Sequence, residues 1–145
     1  MQEKPESQLH SCIEKIESAY EYMLAYAAQG RKSEPAAGEG SDGPSIRAFL
    51  EGLLWGIEHI SEGFTEAVQN LNLDDSANQQ IKKFETTLSA DADSASAVVE
   101  MVLNVPSLSS QVIDNLNAST HVRSLLTDIF VLDEVLRLHQ QNQAE

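Results

Sequence analysis

The sequence predicts an all-α protein, an up-and-down helical bundle of four main helical regions, with the third and fourth interrupted. Three observations carry this. Apolar residues recur at alternating steps of four and three along each long segment, the period of a helix that buries one stripe. No segment alternates apolar and polar residues as a half-buried strand does. Three of the 4 prolines and most of the 7 glycines fall between the periodic segments. At 145 residues the chain has the length of a single domain, 1–145, with a core of its own.

The first helix starts around Pro5 to Ser7 and ends at Gly30, with Leu9, Ile13, Ile16, Tyr20, Met23 and Ala27 as its buried stripe. Pro5 suits a first turn, Glu6 favours the positive end of the helix dipole, and Gly30 has the place of a C′ residue. Residues 31–44 hold three glycines, two prolines and no large apolar side chain, so they form a flexible linker or a long exposed loop. Asp42 or Gly43 then leads through Pro44 into the central helix.

That helix, Ser45 to Leu71, is the most apolar long segment and carries the only tryptophan. Ile46, Leu50, Leu53, Ile57, Ile60, Phe64, Ala67 and Leu71 make its stripe, and Phe49, Leu54 and Val68 widen it. A stripe this broad needs several neighbours. Asp74–Asp75–Ser76 supplies capping chemistry for a third region. The run Ser89 to Ser94 is rich in side chains that compete for backbone hydrogen bonds, so a break there is expected, giving helices near 75–89 and 92–104. Pro106 marks a turn after Val105. From Ser107 to about Gln140 the stripe Leu108, Val112, Ile113, Leu116 slips by six before Val122, Leu125, Ile129, Leu132 and Leu136. A two-piece helix follows, divided within 115–120 where Ser119 opens the second piece; the tail after Gln140 is expected to fray.

Nine Lys and Arg against 23 Asp and Glu give a net charge of −14. Phosphate backbones and anionic lipid surfaces are repelled by such a chain, so neither nucleic acid nor a membrane is the expected partner. A protein partner, one with basic character, fits better. No apolar run reaches the ~18 residues of a membrane span. The first ten residues lack the basic start and apolar stretch of a secretory signal, and one cysteine leaves no internal disulfide, so the expected setting is cytoplasmic.

Catalytic chemistry finds no constellation. A carboxylate-bridged metal centre in a bundle takes Glu-x-x-His from two helices. The nearest approach is Glu58, His59 and Glu62 on the outer side of the central helix. His121 has no Glu three residues before it. Cys12 and His10, two residues apart, do not share a helical face. No serine sits in a Gly-x-Ser-x-Gly elbow, and no glycine-rich loop ends in Gly-Lys-Ser/Thr. No cofactor is expected. A ligand-binding or metal-binding bundle, enzymatic or not, is the alternative reading, and it would place inward polar groups such as Tyr20 or His121 along a cavity.

The central helix carries one anomaly. With Ile57 and Ile60 inward, Trp55 lands on the outward face, and Tyr22 of the first helix points outward among glutamates. Gly52, Gly56 and Gly63 lie in the same helix as Trp55, Gly52 on its side and the other two one heptad apart on a flank. A glycine inside a helix costs about 1 kcal/mol against alanine, so three of them imply that something packs close to this backbone. The expectation is a second neighbour, from another region or another chain. The functional expectation is accordingly a small acidic interaction module, an adaptor, chaperone or regulator, that self-associates as a homodimer through a helical surface. The residue pattern identifies no family.

Overall fold

Helix starts in this chain are written by short polar side chains. In the computed structural model, which describes residues 7–35 and 45–144, four of the five helices open on a Ser or Asp whose side chain accepts a backbone N–H three residues on. Ser7 caps α1 (Gln8–Ala28), Ser45 caps α2 (Ile46–Gln69), Asp74 caps α3 (Asp75–Leu103) and Ser109 caps α4 (Ser110–Ala118). The fifth helix, α5 (Thr120–Ala144), follows α4 after one non-helical residue. There is no strand among the described residues. Pro5, Glu6 and the segment 36–44 lie outside the described residues.

α1 ends as its sequence dictates: Gly30 adopts φ +65°, the left-handed position that side-chain-bearing residues avoid. α1 and α2 then run antiparallel in the largest interface of the molecule, α2 packs on α3, and α3 packs on α5. α4 returns to α1, which closes the bundle. One contiguous core joins all five helices, centred on Ile16, Met23, Leu50, Ile57, Ile60, Phe64, Leu88, Leu108, Ile113 and Ile129.

The expected break in the third region is absent: α3 is a single helix of 29 residues. The reason lies in the alanines that share the polar run. Ala92 and Ala95 are buried against neighbouring helices, while Ser89, Asp93 and Ser94 face solvent. Tertiary burial of the small residues therefore outweighs the local competition of the serines and aspartates. The break in the last region is present, at Ser119, whose backbone leaves the helix at φ −59°, ψ 127°. Its N–H still bonds Leu116 O and its carbonyl accepts from Arg123 N, so the interruption leaves both groups satisfied. The tail does not fray; α5 continues to Ala144 through residues with adequate helix propensity.

The stretch expected to be a flexible linker or a long exposed loop is tied down in its first part. Ser110 N donates to Arg31 O and Arg31 N donates to Ser110 Oγ, both at 2.8 Å, and Glu34 N donates to Ser107 Oγ. No described helix is long and apolar enough to cross a membrane.

Candidate functional site

The sequence-marked residues of α1 and α2 fall into two groups along the α1–α2 seam. Gly56 and Gly63 face α1 within the same chain. A Cβ at Gly63 would lie 2.9 Å from Leu9 Cα, and one at Gly56 would lie 2.8 Å from Ile16 Cγ1 and 3.0 Å from Cys12 O. These two glycines are what lets α1 approach α2 so closely, and both are buried. The neighbour expected from another region or another chain is, at these positions, α1.

Gly52 is different. A Cβ there would meet nothing within 4 Å. It lines an open groove of about 550 Å³ between the two helices, together with Ser11, Lys15 and Ser18 of α1 and Ala48 and Phe49 of α2. The antiparallel register places an aromatic pair to either side of Gly52 along α2. On one side Tyr22 stacks on Phe49, ring centroids 4.1 Å apart and planes 14° from parallel. Tyr22, expected to point outward, is thus half-buried, because Phe49 reaches across the seam to cover it. On the other side Trp55, 37% exposed, stacks on His59 at 4.5 Å, and the Lys15 ammonium stands 5.5 Å from the indole centroid. His59 Nδ1 donates to Trp55 O at 2.7 Å, which leaves the ring clamped along the helix. The result is a dent lined by Gly52, Ser18 and Phe49, which the Trp55 indole adjoins through Lys15.

The groups expected for other chemistry do not converge. Glu58 and Glu62 are exposed, and Glu62 accepts from Gln8 Nε2. Among the described residues no group of three His, Cys, Asp or Glu is placed to hold a metal ion. His121 does not line a cavity wall; it is exposed, because Val122 takes the inward position and the preceding residue is turned about 100° away. Tyr20 is half-buried against the core and does not line the groove. Cys12 is fully buried, and burial, with the Glu62 charge, pushes its thiol up to about 11, away from nucleophilic use.

Several polar residues that sequence reasoning passed over are built into the structure. Arg47 grips Glu34 through Nε and Nη2 at 2.7–3.0 Å, and donates to Leu103 O at 2.7 Å and Val105 O at 2.6 Å. It therefore neutralises the negative end of α3. Glu34 also accepts from Leu108 N at 2.9 Å. Burial alone would raise the Glu34 carboxyl, but the hydrogen bonds from Arg47 and Leu108 and the Arg47 charge hold it below its ordinary 4.5. Tyr26 is 2% exposed and donates its hydroxyl to Leu108 O at 2.6 Å. One signal for Arg47 was present: a basic residue in the first turn of a helix opposes the dipole, so it must serve something else.

No family model matches the chain, and no curated protein or solved structure matches it either.

Proposed function

We propose that the protein is a small, acidic, non-enzymatic interaction module whose α1–α2 groove receives a basic amphipathic segment of a partner protein. The observation that supports this reading is the open dent over Gly52, lined by Phe49 and by Lys15, whose ammonium stands over the Trp55 indole. A helix interior that keeps a glycine costing about 1 kcal/mol, with no neighbour of its own to accommodate, has room for one large apolar side chain from elsewhere. Glu14 lines the groove, Glu17, Glu21, Glu51 and Glu58 of the same two helices are exposed, and the whole chain carries −14. That field attracts a basic segment and opposes a second copy of the same chain. A cytoplasmic setting accompanies the reading, in which the single thiol stays reduced.

Trp55, the sole tryptophan, is the natural reporter. The test is to titrate the protein with a Lys/Leu amphipathic helical peptide while following Trp55 emission, beside a peptide with the same apolar pattern and Glu in place of Lys. The basic peptide should give a saturable spectral shift that Gly52→Leu abolishes without unfolding the chain. An equal response from Gly52→Leu, or from the acidic peptide, would overturn the reading. Sedimentation of the free protein reads self-association: a dimer that Gly52→Leu disperses would show that the groove is filled by a second copy instead.

A further inference from the structure

α5 is joined to the bundle mainly along α3. Asp91 of α3 and Asp128 of α5 face each other in a groove of about 320 Å³. Oδ2 of Asp128 is shut off from solvent, and no N–H or hydroxyl group donates to it. Every other residue lining the groove, Thr120, Arg123, Ser124 and Thr127, comes from α5. Arg123 is the one positive charge among them, and it makes no ion pair with either acid. Two ionised carboxylates offer each other acceptors only, so their contact is repulsive. A single proton converts it into an O–H···O⁻ hydrogen bond, among the shorter and stronger kinds in proteins.

We propose that Asp91 and Asp128 form a proton-operated clasp between α3 and α5, closed when the pair shares one proton and slack when both carboxylates are ionised. Burial pushes the Asp128 carboxyl up from 3.8, and the hydrogen bond and charge of Asp91 push it further, to about 7. The upper proton of the pair therefore leaves near neutrality. The unfolded chain surrenders the same proton near 3.8, so the clasp contributes fully at low pH and is eroded as the pH climbs from there towards 7. The apolar side of α5, with Leu125, Ile129 and Leu132 buried, keeps the helix docked in both states. What changes is how often it opens.

The test is amide hydrogen exchange of the full chain, reading the protection of α5 relative to α1 in the same sample so that the pH dependence of the exchange chemistry cancels. In the wild type this ratio should fall about tenfold between about pH 5 and about pH 8. In Asp128→Asn it should stay constant, since the amide donates to Asp91 at every pH. Asp91→Asn should do the same from the other side, and it keeps the experiment decisive if the first variant fails to fold. A wild-type ratio that does not change with pH, or Asn variants that fall as the wild type does, would overturn the clasp.

Discussion

At Gly52, Gly56 and Gly63 one residue type serves two opposite purposes, and alanine separates them. Gly52→Ala meets open space and gains helix propensity, so it should raise stability by about 1 kcal/mol. Gly63→Ala presses a methyl against the Leu9 backbone, which cannot swing aside as a side chain can, and should cost about 1–3 kcal/mol despite the same propensity gain. Urea unfolding of the two variants checks the pair, and the opposite signs are the expected result. The Glu34–Arg47 pair belongs at this scale as well. Arg47→Met leaves Glu34 with only Leu108 N among its side-chain partners and frees two carbonyls at the end of α3. A loss of about 1–3 kcal/mol is expected by the same measurement. Glu34 titrates below its ordinary value in the folded chain, so its contribution is present above about pH 4.5 and disappears as the pH falls through the lowered value.

At the scale of elements, the periodic stripes located α1, α2, α5 and the division at Ser119 because burial repeats there in large side chains. α3 escaped the same reading in its middle turns: its buried residues there are Ala92 and Ala95, and an alanine looks alike on a core face and in a solvated run. Their closeness to the neighbouring helices makes a direct test. Ala95→Leu inserts three carbons at a site with no exposure and should destabilise by about 1–3 kcal/mol, whereas Ser94→Leu next to it, exposed, should stay within about 0.5 kcal/mol in thermal unfolding. The groove was half legible. Trp55 and Gly52 announced an unfilled outer face, but Phe49 covering Tyr22 and Lys15 over the indole depend on the register between two helices, which no single-helix pattern contains. Asp91 and Asp128 are 37 positions apart on different helices and carry no local signal at all.

For the molecule as a whole, two acidic devices respond to pH in opposite directions. The Glu34 clamp is lost on acidification, the Asp91–Asp128 contact on the way to neutrality, and the charge of −14 adds diffuse repulsion once the carboxylates are ionised. Salt should therefore raise the unfolding midpoint at about pH 7.5, where uniform repulsion dominates, by screening charges beyond about one Debye length of 8–10 Å. The same addition near about pH 4.5 should do less, because fewer carboxylates are charged.

Cys12 gives this architecture a clock. Its sulfur is sealed beneath the seam that Gly56 and Gly63 make tight, and its proton is held too firmly for the thiolate to form at rest. A thiol-labelling reagent added to the native protein must wait for α1 to lift away from α2, so the labelling rate counts those openings one by one. Gly63→Ala, by prising the two helices apart, should make that clock run fast.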